Sequence, residues 1–299
     1  MRYKITHSTE YYYGDQVPLC HNVLHLKPRP TPRQILISHS VGITPNPLSR
    51  SERTDFFGNP FTWFTLQEPH DRLKIVARSE PEVFAFEPPT GLWSPGWEQV
   101  VRMLREQHEP DLLDARQFTF ESTYVPLAAP LGEYAMPSFA PGRPLLECVT
   151  ELTQRIYDDF VFDSKATTIG TPVLEVLEHR HGVCQDFAHL QIGCLRYLGL
   201  AARYVSGYLS TKPPPGRARL VGADASHAWV SVFFPDFGWI DFDPTNGVIP
   251  SLDHITLAWA RDYDDLSPVR GVVVGGHQHA LSVSVDVEPI SASARFISK

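Results

Sequence analysis

Apolar and polar residues alternate in short runs through the N-terminal part of the chain, and these runs are rich in β-branched and aromatic side chains. Such alternation is typical of strands that bury one face, and the proline, glycine and asparagine residues between the runs mark turns. Strands at this spacing predict an antiparallel sandwich or barrel. The predicted strands cover residues 3–13, 22–27, 35–43, 59–66 and 73–83.

The apolar spacing changes to a helical period in the second half of the chain. Proline recurs between positions 126 and 144, which predicts a linker at the domain boundary. The helix after residue 184 is apolar around most of its circumference, so we expect it to be central and buried, with Gly199 at its end. A short helical pattern over residues 93–107 precedes the linker, and the helices predicted after it cover residues 144–160, 171–179 and 184–198.

Strand patterns return after these helices, and helices followed by strands predict an α+β fold. We therefore expect an N-terminal antiparallel β-sandwich-like domain over residues 1–137 and an α+β core over residues 138–299. The predicted core strands cover residues 202–210, 227–234, 238–243, 255–260, 270–274 and 281–287.

Composition narrows the classes of function. The chain has 26 lysines and arginines against 34 aspartates and glutamates, a net charge of −8, so it lacks the basic excess of a nucleic-acid binder. No apolar run approaches the roughly 20 residues of a membrane span, and the N-terminus shows no signal-peptide pattern. The cysteines at positions 20, 148, 184 and 194 form no disulfide framework, which predicts a reduced, cytoplasmic protein.

Cys184 is the first candidate for chemistry. Gly182 and Val183 bring it to the first turn of the predicted buried helix. Unpaired backbone N–H groups and the positive end of the helix dipole stabilise a thiolate there, and the same N–H groups can hold an oxyanion. The alternative is that Cys184 is a small core residue, as free cysteines often are.

A nucleophilic cysteine needs a base and a residue that orients the base. His227 begins a predicted strand and shares a face with Trp229, while Asp243 ends the next strand, with Asp241 on the same face. Taken singly, His227 can be a structural histidine and Asp243 a turn former before Pro244. A helix start followed by two adjacent strands can nevertheless bring Cys184, His227 and Asp243 to one point.

Three segments together resemble the core motifs of the transglutaminase-like superfamily, and more narrowly those of its bacterial two-domain members. The opening residues 1–7 and 11–13 and the segment 261–271 are also similar to those members. The three core segments are Gly182-Val183-Cys184-Gln185-Asp186-Phe187-Ala188, His227-Ala228-Trp229 and Trp239-Ile240-Asp241-Phe242-Asp243-Pro244-Thr245-Asn246.

The resemblance implies a papain-like transglutaminase core in which Cys184 is the nucleophile, His227 the general base and acid, and Asp243 the residue that orients the histidine. It implies a cysteine-dependent amide or peptide hydrolase or acyltransferase that forms a thioester acyl-enzyme on a protein or peptide substrate, with no metal or organic cofactor. Eukaryotic cross-linking members carry tryptophan directly after the cysteine, where this chain has Gln185, so cross-linking does not carry over.

Three alternatives stay open. Water is the more abundant acceptor, so we expect hydrolysis, but an amine acceptor would make the protein a transglutaminase. A non-catalytic binding module that retains the fold is the second alternative. The third is that the N-terminal β domain associates with a partner protein, although no surface patch in the sequence identifies one.

Strand geometry gives an internal test of the triad. A two-residue turn at 236–237 would place Asp243 opposite Val230, on the face away from His227. An odd-numbered loop, for example residues 236–238 with Gly238 at positive φ, restores the correct face. We therefore predict an odd loop or an equivalent bulge.

Several other polar clusters carry weaker signals. His179 and His181 with Cys184, and His277 with His279, lack the four-ligand spacing of a structural zinc site, so we expect no metal. The basic loop 212–219 either rims the cleft and contacts a carboxylate-bearing substrate or is simply solvated.

Overall fold

The computed structural model describes residues 1–86, 94–211 and 226–290. The helices are α1 (Trp97–Glu106), α2 (Pro110–Arg116), α3 (Ala129–Ala135), α4 (Leu145–Asp159), α5 (Val173–His179), α6 (Cys184–Tyr197) and α7 (Tyr263–Leu266). The strands are β1 (Arg2–Val17), β2 (Leu19–Leu24), β3 (Gln34–Thr44), β4 (Ser49–Thr54), β5 (Pro60–Leu66), β6 (His70–Val83), β7 (Val161–Phe162), β8 (His181–Gly182), β9 (Ala202–Leu209), β10 (Ser226–Phe234), β11 (Gly238–Phe242), β12 (His254–Ala260), β13 (Val269–Val274) and β14 (His279–Ile290).

Two four-stranded antiparallel sheets form the N-terminal part, in the orders β14-β1-β6-β3 and β13-β2-β5-β4. Alternate residues of these strands point inward, as the sequence pattern predicts, and form a buried core between the sheets. The inward residues include Leu24, Phe64, Leu66, Leu73 and Ile75. The expected α+β fold with an N-terminal β-sandwich-like domain is therefore observed.

The last two strands differ from the expected division of the chain. β13 pairs with β2 and β14 with β1, so residues 269–290 complete the N-terminal sheets instead of extending the core sheet. Periodicity locates strands but does not identify their partners, which is why the sequence placed these two with the core. The boundary between residues 137 and 138 stays a prediction, but no contiguous N-terminal segment contains both sheets.

The proline-rich segment between positions 126 and 144 is not an open linker. It contains α3, in which Pro130 occupies the first turn, where its missing N–H costs nothing. Leu131 and Ala135 are fully buried, and an added Cβ on Gly132 would lie 2.1 Å from the Tyr197 ring. α3 therefore packs closely on α6 and belongs to the core.

The core sheet has the strand order β11-β10-β9-β12, and α6 packs on one of its faces. The buried residues of β10 on that face are Ala228, Val230, Val232 and Phe234. α6 is buried from Asp186 to Arg196, as its apolar circumference predicts, and Gly199 follows it at a φ of +84°. No helix within the described ranges 1–86, 94–211 and 226–290 is long and apolar enough to span a bilayer.

An alternating stack of arginine and tryptophan joins the N-terminal part to the opposite face of this sheet. The Arg203 guanidinium carbon lies 4.0 Å from the Trp239 ring centroid and 3.8 Å from that of Trp259. Arg29 lies 3.5 Å from the Trp259 centroid. Two guanidinium groups so close to one ring must occupy its opposite faces, so the four side chains alternate in one cation–π stack.

Two side-chain amides of the N-terminal part satisfy the backbone of β12, which is an edge strand of the core sheet. Asn59 accepts a hydrogen bond from Trp259 N–H (3.0 Å) and donates one to its carbonyl (2.9 Å). Gln34 forms the same pair of hydrogen bonds with Thr256: it accepts from the Thr256 N–H (2.9 Å) and donates to the Thr256 carbonyl (2.8 Å). Each amide thereby takes the place of a neighbouring strand and pairs both backbone groups of the residue that it contacts.

Asn59→Ala should lower the free energy of unfolding by about 2–4 kcal/mol, because the buried N–H and carbonyl of Trp259 lose their partners. The measurement is chemical denaturation. Asn46→Ala, at an exposed position in the same half of the chain, is the control and should change little. An Asn59→Ala protein as stable as the wild type would show that these bonds do not hold the two parts together.

Candidate active site

Cys184 is the first residue of α6, as the sequence predicts. The Asp186 carboxylate fixes the preceding loop, because its Oδ2 accepts hydrogen bonds from Val183 N–H (2.8 Å) and from the Thr167 hydroxyl (2.6 Å). An added Cβ on Gly182 would lie 2.8 Å from that oxygen, so glycine leaves the space for it. The loop before the helix is thus held in one conformation that presents Cys184 at the helix N-terminus.

The hairpin of β10 and β11 has the predicted odd loop. Phe234 pairs with Gly238 across residues 235–237, and Gly238 has a φ of +76°. The loop begins one residue earlier than the example considered from the sequence. Because Val230 pairs with Phe242, the next residue, Asp243, falls opposite Trp229 and on the same face as His227.

His227 and Asp243 are joined by a short, buried hydrogen bond. His227 Nε2 lies 2.7 Å from Asp243 Oδ2, and the two residues are 8% and 0% exposed. Cys184 faces the same imidazole, and its interactions with the ring are among the causes that raise the pKa of His227. Since Nε2 is engaged by Asp243, Nδ1 is the nitrogen that remains for the sulfur. The structure thus brings together all three residues predicted from the sequence.

The Asp243 carboxylate accepts five hydrogen bonds in all. Besides His227, its Oδ2 accepts from His254 Nε2 (2.9 Å) and Asn246 Nδ2 (2.7 Å). Its Oδ1 accepts from the backbone N–H groups of Thr245 (2.9 Å) and Asn246 (3.3 Å). Sequence reasoning missed His254 entirely; its only signal was a histidine at the start of a predicted strand. Asn246 lay inside the recognised motif but had no role assigned.

These contacts determine which groups carry charge. Burial alone would raise the pKa of Asp243, but the hydrogen bonds from His227 and His254 hold it well below its usual range. Burial alone would lower the pKa of His227, but its bonds with Asp243 and Cys184 raise it to about 10. An aspartate and an imidazolium therefore coexist at neutral pH, beside the cysteine.

Trp229 and Gly207 determine how closely the side chains pack beside His227 and Asp243. Trp229 is fully buried and meets His254 edge-on, with centroids 5.2 Å apart at 85°. Gly207 on β9 lies directly opposite His227. An added Cβ on Gly207 would lie 2.3 Å from the Trp229 ring, so glycine is needed at this position for the indole to lie against β9. The indole thereby packs against the ring of His254.

The ligand atoms of His227, Asp243 and His254 lie within 4.8 Å of one another, a spacing that could also hold a metal ion. Both imidazole Nε2 atoms already contact the same carboxylate oxygen at hydrogen-bond distance. A cation would have to displace both protons and with them the bond between His227 and Asp243. The arrangement therefore suits a protonated network better than a metal centre.

The other histidine candidates lie elsewhere. His179 and His181 stack on each other, with centroids 5.8 Å apart. His277 contacts Asp15, and His279 lies beside aromatic rings of β1. Neither set forms a cluster of three potential ligands within the part of the chain that the structure describes. The basic loop 212–219 falls outside the described residues.

Asp241 and the other cysteines are separate from the pair of His227 and Asp243. Asp241 pairs with Ser231, and its charge raises the pKa of Arg203 against the larger, lowering effect of burial. All four cysteines are free. Cys20, Cys148 and Cys194 are buried, and burial raises the pKa of Cys148 to about 11 and that of Cys194 to about 12. Cys184 alone is partly exposed.

A helix that begins at Cys184 and packs on an antiparallel sheet defines a papain-like α+β core. Residues 3–82 match the bacterial transglutaminase-like N-terminal region, and residues 135–244 match the transglutaminase-like superfamily. A protein of Mycobacterium tuberculosis is 43% identical over 303 residues, covering 98% of this chain and 94% of that one. The chain belongs to the transglutaminase-like superfamily.

Two further relatives extend the comparison. The crystal structure of a "Putative Cysteine Protease" from Cytophaga hutchinsonii has a TM-score of 0.72 at 20% identity and covers 98% of this chain and 92% of its own, which shows the shared fold. A protein-glutamine gamma-glutamyltransferase of Pseudomonas aeruginosa is 33% identical over 106 residues, 34% of this chain and 16% of that one.

The raised pKa of His227 predicts a pH dependence of stability. Its folded pKa of about 10 exceeds the unfolded value of about 6.5, so its stabilisation is complete below pH 6.5 and declines toward pH 10. The difference in unfolding free energy between wild type and His227→Gln should therefore shrink over this window, by at most about 1.4 kcal/mol per pH unit.

Denaturant titrations at several pH values measure this difference. His7→Gln is a control of opposite sign, because burial lowers the pKa of His7 to about 4. The stability difference due to His7 should stay constant above pH 6.5 and change only at lower pH. A His227 difference that stays flat from pH 6.5 to 10 would contradict the assignment of an imidazolium.

Proposed function

We propose that this chain is a cysteine-dependent amide or peptide hydrolase in which Cys184, His227 and Asp243 act as a catalytic triad. The observation that carries the proposal is the 2.7 Å hydrogen bond between the buried imidazole of His227 and the buried carboxylate of Asp243. Cys184 faces the same imidazole and helps to raise its pKa. This is the arrangement of nucleophile, base and orienting residue that acyl transfer requires.

In the first half of the reaction, the Cys184 thiolate attacks the amide carbonyl carbon and forms a C–S bond. The carbonyl oxygen becomes an oxyanion, which the free backbone N–H groups of the first turn of α6 stabilise. As the intermediate collapses, His227 gives its proton to the leaving amine and the C–N bond breaks. The products are a thioester on Cys184 and a free amine.

In the second half, His227 removes a proton from water while the water oxygen attacks the thioester carbonyl. Collapse of this intermediate releases the carboxylic acid and returns the thiolate and the imidazolium. Asp243 stays ionised throughout and holds the His227 ring in position. We favour water as the acceptor because its concentration exceeds that of any amine unless the site excludes it.

Amine transfer is the second candidate, supported by the similarity to the Pseudomonas aeruginosa glutamyltransferase over 106 residues. Both reactions share the thioester and differ only in the nucleophile that resolves it. A binding module without turnover would form no thioester at all. Product analysis therefore separates the three functions.

The direct test is turnover of a glutamine-containing peptide library, with and without a small primary amine, followed by mass spectrometry. We expect new peptide termini or deamidated side chains, and little amine-linked product. Dominant amine-linked product would establish transfer. No product, together with no adduct on Cys184, would contradict the enzymatic proposal.

Cys184→Ala should lower kcat by about 10³-fold or more, and Asp243→Asn by about 10²–10⁴-fold with a smaller effect on KM. Cys20→Ala is the matched control, since Cys20 lies deep in the β-sandwich. It should keep full activity per folded molecule. Equal losses in Cys184→Ala and Cys20→Ala would show that the loss reflects folding.

A further inference from the structure

His254 is a buried imidazole that the proposed reaction does not use. Its Nε2 lies 2.9 Å from Asp243 Oδ2, the same oxygen that accepts from His227, and the residue is only 7% exposed. Two histidines from different strands therefore share one carboxylate oxygen. The His254 ring centroid also lies 5.8 Å from that of His227, so His254 lies beside both members of the hydrogen-bonded pair.

The surroundings of His254 hold its ring in place. It is the first residue of β12. Two residues further along this strand, the Gln34 side-chain amide hydrogen-bonds both backbone groups of Thr256. The buried indole of Trp229 packs edge-on against the imidazole. A ring fixed by its strand and by a neighbouring side chain makes a rigid hydrogen-bond donor at small entropic cost.

We propose that His254 is a positioning residue. It holds the Asp243 carboxylate in the rotamer in which Oδ2 accepts the hydrogen bond from His227 Nε2. The inference rests on the proposed triad. The Asp243 side chain can rotate about its Cβ–Cγ bond, and rotation would carry Oδ2 away from His227. A second donor bonded to Oδ2 opposes that rotation.

His254 also distributes the negative charge of Asp243. A carboxylate oxygen that accepts from several donors attracts each proton less strongly than one that serves a single donor. The titratable groups facing His227 are Cys184 from α6, Asp243 after β11 and His254 from β12. Asn246 donates to Oδ2 as well, at 2.7 Å, so loss of His254 should weaken the network without abolishing it.

A matched pair of variants tests the positioning role. The amide nitrogen of glutamine can reach the place of His254 Nε2, whereas that of asparagine is one methylene too short. The probe is iodoacetamide, which forms an S–C bond with the thiolate and expels iodide, and mass spectrometry follows the Cys184 adduct. This reaction reports the thiol–imidazole pair without any substrate.

We expect alkylation of Cys184 at pH 7 within about 3-fold of wild type in His254→Gln, and about 10-fold slower in His254→Asn. The pH profile of alkylation should be preserved in the glutamine variant and displaced in the asparagine variant. His25→Phe is the control, because His25 is a similarly buried histidine that lies 3.6 Å from Asp55 in the N-terminal part. Its alkylation rate should match the wild type.

Three results would overturn the proposal. In the first, folded His254→Asn alkylates at the wild-type rate and with the wild-type pH profile. In the second, both variants slow in proportion to their loss of melting temperature, which indicates a purely structural residue. In the third, the wild type carries stoichiometric metal that both variants lose. Rapid wild-type alkylation without peptide turnover would count against the proposed enzyme activity and leave the positioning role intact.

Discussion

The buried, ionised carboxylate of Asp243 is the constraint around which this protein is organised. A carboxylate removed from water costs several kcal/mol unless donors compensate it. Here β10, β12 and the turn after β11 together supply five donors to a side chain that is 0% exposed. The odd hairpin loop and the glycine at 207 are both needed to bring those donors together.

The N-terminal part of the chain contributes to this site through the strand that begins with His254. The Gln34 and Asn59 amides satisfy the edge of β12, which is the strand that begins with His254. The stack of Trp239, Arg203, Trp259 and Arg29 joins the N-terminal part to one face of the core sheet, and Trp259 of β12 is one of its members. The two-part architecture therefore fixes one wall of the site.

Local sequence patterns predicted most of the strands and the longer helices, and they missed β4, α2 and α3. The fold class followed from the order of these elements, and the family resemblance selected Cys184, His227 and Asp243. Hairpin parity could be worked out from the alternation of β10 and β11, because it depends only on the count of residues between them. Strand partnership could not, so β13 and β14 were placed with the wrong sheet. His254 was not predicted for a related reason. Its position beside Asp243 depends on the strand order β11-β10-β9-β12, and the spacing of apolar residues within a strand does not determine that order.

The ionisation of His227 tests the account most directly. Ring-nitrogen NMR of the intact protein should follow His227 to a pKa of about 10, since Asp243 and Cys184 outweigh burial. In Asp243→Asn the pKa of the same ring should fall well below 10, because Cys184 then opposes burial without the carboxylate. A wild-type His227 that titrates near 6.5, or one that Asp243→Asn leaves unmoved, would contradict the central role of the carboxylate.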